Sequence, residues 1–143
     1  MQKILIVDDS SFMTTIIEHI LRNIAGYNDI MSVDNGDEAI RVCSSNKIDL
    51  VLLDIVINGL DGIEVCKQIK QKFNCNIIIC SASGKQNYVK ECLEYGASSI
   101  ITKPFKPEEV IEVVTKTIGK PKIDIKIESM QDKIDKYLKN GVD

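Results

Sequence analysis

Asp8-Asp9, Asp54, Ser81-Ala82 and Thr102-Lys103-Pro104 each stand directly behind a short apolar run. Their types could do chemistry together if the fold gathered them. Three carboxylates at one rim repel one another, and without compensation at least one would hold its proton. A divalent cation removes that conflict. All-oxygen ligation with retained waters suits Mg2+, with Mn2+ as a substitute, rather than zinc or copper. Three carboxylates, one such ion and the Lys103 ammonium sum to zero charge, so the site could receive a phosphoryl group whose oxygens both cations neutralise. Aspartate is already ionised at neutral pH and attacks phosphorus without a general base. Asp54, central in the set, is the expected nucleophile.

The elements that would position these residues are legible in the pattern. The apolar runs Ile4–Val7, Ile30–Val33, Leu50–Leu53, Ile77–Cys80 and Ile100–Ile101 are bounded by polar or turn residues. Each reads as a strand buried on both faces. Segments with helical spacing lie between and after them. Phe12, Ile16, Ile20 and Ile24 recur every fourth residue behind the potential caps Ser10 and Ser11. Ala39, Ile40 and Cys43 follow Asn35-Gly36, and Ile63, Cys66 and Ile69 follow Asp61-Gly62. Tyr88, Val89, Cys92 and Leu93 precede the C-cap candidate Gly96, with Tyr88 and Tyr95 expected on a half-buried face. Val110, Ile111, Val114 and Ile118 follow Pro107, which suits a first helical turn.

This alternation predicts an α/β fold with a parallel sheet, right-handed crossovers and helices on both faces. In the flavodoxin-like doubly wound (βα)5 arrangement, with strand order 2-1-3-4-5, ligands bind beyond the carboxyl ends of the strands. Asp9 and Asp54 then become neighbours, Ser81 lies one strand further and Lys103 two. A short hydroxyl serves only nearby, whereas a lysine stem reaches back across a strand.

The chain has 143 residues, 44% of them hydrophobic and 27% charged, which fits one ordinary domain. Its net charge of −3 argues against a surface that coats nucleic acid, and no apolar run is long enough for membrane insertion. The opening MQKILIVDDS does not read as a secretion signal. Cys43, Cys66, Cys75, Cys80 and Cys92 form no C-x-x-C, and His19 is the only histidine. They are expected to be small core residues of a reduced, cytoplasmic protein, and His19 a polar-face residue. Domain organisation reads as residues 1–120 plus an extension, 121–143, too short to fold independently. In that extension Ile123, Ile125 and Ile127 alternate as in a strand, and Met130, Ile134, Tyr137 and Leu138 share a helical face, behind a Ser129/Asp132 pair that looks like a cap.

The segments KILIVDDS, SVDNGDEAI, LVLLDIVINGLDGIEV, IIICSAS and GASSIITKPF together resemble the receiver domain of two-component response regulators, over about residues 1–118. The resemblance implies a phosphorylation-controlled switch rather than an enzyme. Asp54 would accept phosphate from a histidine kinase or phosphotransfer protein. Asp9 would bind Mg2+ directly, Asp8 largely through water, and Val56 through its carbonyl oxygen. Ser81 and Lys103 would contact the phosphoryl oxygens, Ala82 would leave their approach open, and the Lys103–Pro104 bond would be cis. Phosphorylation would alter the face formed by helix 4, strand 5 and helix 5, recruiting a downstream protein or a second receiver copy.

Asn58 stands where the family usually has proline, and Ile100 where it usually has an aromatic switch residue. Isoleucine cannot perform a ring flip, so Ser81 carries the hydroxyl half of the switch alone. Val56 and Ser83 flank the path of an attacking water and offer it little hydrogen bonding, which implies slow self-dephosphorylation. The competing reading is a Mg-dependent aspartyl-phosphate phosphohydrolase. Such enzymes usually carry a second acid two residues after the nucleophile, where this chain has Val56. A flavin site also suits the fold, but Asp8-Asp9-Ser10 is electrostatically wrong for an anion without a metal.

Overall fold

The computed structural model describes residues 2–57, 61–82, 86–122 and 134–138. Five parallel strands, β1 (Lys3–Val7), β2 (Asp29–Val33), β3 (Leu50–Asp54), β4 (Asn76–Ala82) and β5 (Ser99–Lys103), form one sheet in the order β2-β1-β3-β4-β5. Helices α1 (Ser11–His19), α2 (Gly36–Ser45), α3 (Gly62–Lys72), α4 (Gln86–Glu94) and α5 (Pro107–Ile118) complete the alternation. The predicted fold class and strand order are both observed.

Strand periodicity sorts side chains into two cores. Leu5, Val7, Val51, Leu53, Ile77 and Ile79 pack with α2, α3 and α4 on one face. Ile4, Ile6, Leu50, Leu52, Ile78 and Cys80 pack with α1 and α5 on the other. Alternate residues facing opposite sides is the period-two geometry of a strand. The central strands β1, β3 and β4 are almost wholly buried. Edge strands β2 and β5 are not, since each has a neighbour on one side only and is half-covered. The expectation that all five are buried on both faces therefore fails at the edges.

Local chemistry starts and stops the helices. Ser10, Asn35 and Asp61 cap α1, α2 and α3 by accepting from the backbone N–H groups of Met13, Glu38 and Glu64. Pro107 occupies the first turn of α5, and Gly96 and Gly119 take positive φ beyond α4 and α5. Helix α1 continues through a π-helical turn, Ile20–Ala25, ending at Gly26 with φ 95.

The buried stripe of that helix is Ile17, Ile20 and Leu21, while Phe12 is 73% exposed and Ile24 55% exposed. Phe12 stands about 140° around the helix from Ile17, and the π-helical turn rotates Ile24 off the face that Ile17 marks. Tyr88 and Tyr95 are also exposed rather than half-buried, with the Lys67 ammonium 5.6 Å from the Tyr95 ring centroid. His19 is exposed as expected, its Nδ1 2.8 Å from the Asn23 side-chain nitrogen.

All five cysteines are buried free thiols. Among the described residues no helix is long and apolar enough to cross a membrane. Asn58, Ser83, Ile123, Ile125, Ile127, Ser129, Met130 and Asp132 lie outside the described residues. Residues 134–138 are helical, and Ile134, Tyr137 and Leu138 there are exposed.

Candidate functional site

The register of the central strands brings the acids together. Val7 pairs with Leu53 in the last rung between β1 and β3, so Asp8 and Asp54 emerge side by side at the carboxyl end of the sheet. Ligand oxygens of Asp8, Asp9 and Asp54 all lie within 4.8 Å of one another. Asp8, rather than Asp9, continues the rung beside Asp54. Asp8 is buried, Asp9 exposed and Asp54 between the two.

Backbone donors fix both inner carboxylates. Asp8 Oδ1 accepts from the Ser10 N–H at 2.9 Å, and Asp54 Oδ1 accepts from the Val56 N–H at 3.1 Å. The remaining oxygen of each takes the same partner. Lys103 Nζ donates to Asp8 Oδ2 at 3.2 Å and to Asp54 Oδ2 at 3.1 Å. Because Ala82 pairs with Lys103 on β5, the lysine stem must cross β4 to reach β3 and β1. Reach of that length needs an unbranched four-carbon side chain.

Electrostatics reflects this enclosure. Burial pushes the Asp54 carboxyl above the usual carboxylate range, with Lys103 and the Val56 N–H pulling against it and Asp8 adding to the rise. Burial works to lower the Lys103 ammonium, but Asp54 and Asp8 outweigh it and the net shift is upward. Cys80, beneath them, is pushed up to about 12, chiefly by burial.

Ser81 is buried at the end of β4, its hydroxyl donating to the Ala82 carbonyl at 3.0 Å, and Ala82 itself is exposed. Val56 is 59% exposed on the β3–α3 connection, and Ile100 37% exposed on β5. The Lys103–Pro104 peptide is cis.

Two features escape a reading of residue types alone. A crevice of about 610 Å3 beside the cluster is lined by Glu18, Asp34 and Glu38 as well as Asp8 and Asp9. Asp34 follows β2 as Asp8 follows β1, a signal present in the sequence but absorbed into the reading of Asp34-Asn35-Gly36 as a turn. The second is Gly62. A Cβ there would lie 2.5 Å from the Ile55 Cα and carbonyl oxygen, and the Gly62 N–H donates to that oxygen at 3.0 Å. Its φ is unremarkable, so only the three-dimensional approach explains it.

The donor set suits a hard divalent cation, being all oxygen, with Asp9 open to water and two carboxylates held in place by backbone N–H groups. A family model for the response regulator receiver domain matches residues 4–115. The chain is 39% identical to the chemotaxis protein CheY of Bacillus subtilis over 119 residues, covering 82% of this chain and 98% of that protein. It is also 39% identical over 110 residues to the alkaline phosphatase synthesis transcriptional regulatory protein PhoP of the same species, covering 76% of this chain and 45% of PhoP. Among solved structures, it is similar to the receiver domain of the sensor histidine kinase PA1611 from Pseudomonas aeruginosa, which has a magnesium ion in its active site cleft. That similarity has a TM-score of 0.74 at 31% identity, covering 82% of this chain and 98% of that one.

Proposed function

The chain belongs to the response regulator receiver domain family of phosphorylation-controlled switches, and on that premise we propose that Asp54 is its phosphoacceptor, supplied by a histidine kinase or phosphotransfer protein. The observation that carries this reading is the Lys103 ammonium bridging Asp8 and Asp54. It marks where negative charge accumulates and where an added phosphoryl group would find its counter-charge.

Asp8, Asp9, Asp54 and the Val56 carbonyl would hold Mg2+, or Mn2+ in its place. When bound, the ion neutralises charge on the transferring phosphoryl oxygens. An Asp54 carboxylate oxygen forms the bond to phosphorus as the donor's N–P bond breaks, the electron pair returning to the imidazole ring. Asp54 Oδ1 is held by the Val56 N–H, so Oδ2 is the oxygen that exchanges a hydrogen bond for phosphorus. Lys103 then donates to a phosphoryl oxygen, and the Ser81 hydroxyl turns from the Ala82 carbonyl to another. Ala82, small and exposed, leaves their approach open.

The output is binding rather than turnover. Capture of the phosphoryl group by Ser81 and Lys103 pulls on β4 and β5 and shifts the population of the surface formed by α4, β5 and α5. Ile100 has no ring to turn, so this chain's switch runs through Ser81 and the backbone. A downstream protein or a second receiver copy reads that surface. Five free thiols support a reducing compartment, and we assign the chain to the cytoplasm.

Incubation with acetyl phosphate and Mg2+, read by intact mass, tests the proposal. A single phosphate adduct is expected, absent in Asp54→Asn and with EDTA. Catalytic turnover of phosphoesters without a stable adduct would instead favour the phosphohydrolase. The exposed, apolar Val56 gives a hydrolytic water no hydrogen bond, so the adduct should persist for minutes; loss within seconds would contradict this.

A further inference from the structure

We propose that Cys43 and Cys75 form a reversible internal disulfide by exchange with a small anionic disulfide of the oxidised-glutathione class. The bond would tie the last turns of α2 to the α3–β4 connection, at the end of the sheet opposite Asp54. It concerns chemistry that phosphoryl transfer does not use.

Cys43 and Cys75 pack in one buried cluster although they are 32 positions apart in sequence. Both line a crevice of about 300 Å3 together with Lys47 and Lys72. Cys75 also lines a second, larger crevice of about 800 Å3 whose walls carry Lys3, Lys47, Lys70 and Lys122 against Asp29 and Asp49. Lys70 Nζ sits 3.0 Å from the Cys75 carbonyl oxygen. An excess of ammonium groups around a thiol at the wall of a crevice favours its thiolate and draws in a carboxylate-bearing disulfide.

The pair is asymmetric in the way exchange requires. The hydrogen bond from Cys43 holds the Cys75 thiol below its usual range, burial opposing, Lys70 adding to the effect and Asp49 working against it. The same contact pushes Cys43 upward. Cys75 lines both crevices and Cys43 only the smaller one, so Cys75 is the attacking sulfur. Its thiolate forms a mixed disulfide with one half of the oxidant and expels the other half as a thiolate. Cys43 then loses its proton to solvent and attacks Cys75 sulfur, releasing the second half. The protein loses two hydrogens and the oxidant is reduced to two thiols.

Cys66 and Cys92 provide a built-in control. They also lie together, the Cys66 thiol donating to the Cys92 carbonyl at 3.7 Å, yet both are fully buried and neither lines either crevice.

Titration of the full chain with oxidised glutathione under native conditions, followed by alkylation and peptide mapping, tests the proposal. The expected product links the Cys43 and Cys75 peptides, unfolds at higher urea than the reduced chain, and returns to the starting mass with dithiothreitol. Cys43→Ser should stop at a glutathione adduct on Cys75, and Cys75→Ser should leave Cys43 unmodified. Reaction only in unfolding concentrations of urea, or linkage of Cys66 to Cys92 at a comparable rate, would overturn it. The wild-type map decides the matter even if either variant fails to fold.

Discussion

Lys103 is the residue on which the site's charge balance turns. It is partly buried between a nearly inaccessible Asp8 and a mostly covered Asp54. Removing one partner of such an arrangement leaves uncompensated buried charge. Lys103→Ala should therefore lower stability in EDTA by about 2 kcal/mol, discounted for the lysine's partial exposure. Added Mg2+ should restore part of the loss, because a cation can return to the same oxygens; urea melts with and without the ion measure both. Asp54 makes a complementary prediction. Its folded-state pKa is raised, first by burial, so the folded state holds a proton that the unfolded chain releases. Stability contributed by this group is present below the unfolded pKa and lost as pH rises through the folded value. In EDTA, Asp54→Asn should gain on wild type as pH rises above the unfolded aspartate value of about 3.9. Equal dependence of both proteins on pH would refute the assignment. Residue types disclosed the acids and Lys103 because few other roles suit such residues behind successive strands. They could not disclose which aspartate stands in register beside Asp54, since a one-residue choice on a strand is settled by pairing.

At the scale of elements, the β3–α3 connection holds Val56 in place through Gly62, whose missing side chain lets α3 begin against Ile55. Gly62→Ala forces its Cβ into the Ile55 backbone, where no flexible side chain can give way. A loss of roughly 2–3 kcal/mol is expected. Because the displaced residues adjoin Asp54, labelling by acetyl phosphate should slow as well. Asp61→Ala is the comparison. It removes the α3 cap, which accepts from the Glu64 N–H at 2.9 Å, and should cost about 1 kcal/mol while leaving labelling nearly unchanged. If both variants slow labelling equally, loop placement by Gly62 is not the cause. The existence of the five strands and the five helices that follow them was legible, because capping residues and apolar runs act locally. The exposure of Phe12, Ile24, Tyr88 and Tyr95 was not, since which flank of an amphipathic helix meets the sheet depends on its rotation in the assembled layer. Edge-strand exposure is likewise set by strand order rather than by strand composition.

The whole molecule has two chemically different ends. Asp8, Asp9, Asp54 and Lys103 gather at the carboxyl ends of the strands, while the opposite end fastens the chain as it leaves α5. Gln2 Nε2 donates to the carbonyls of Ile118 at 3.0 Å, Gly119 at 3.3 Å and Lys120 at 2.9 Å, and Gln2 Oε1 accepts from the Lys122 N–H at 3.1 Å. The buried Tyr27 hydroxyl donates to the same Gly119 carbonyl, and Pro121 lies 3.8 Å from where a Gly26 side chain would begin. One glutamine thus joins the start of β1 to the end of α5. Tyr27→Phe and Gln2→Ala should each cost about 1 kcal/mol, and less than the sum together, because they share an acceptor. Burial raises the Tyr27 pKa above its usual value near 10, so its contribution is present at lower pH and lost as pH climbs through the folded value. Urea midpoints followed across that alkaline range should fall more steeply for wild type than for Tyr27→Phe. Parallel decline would mean that the hydroxyl at Gly119 does not help hold the end of α5.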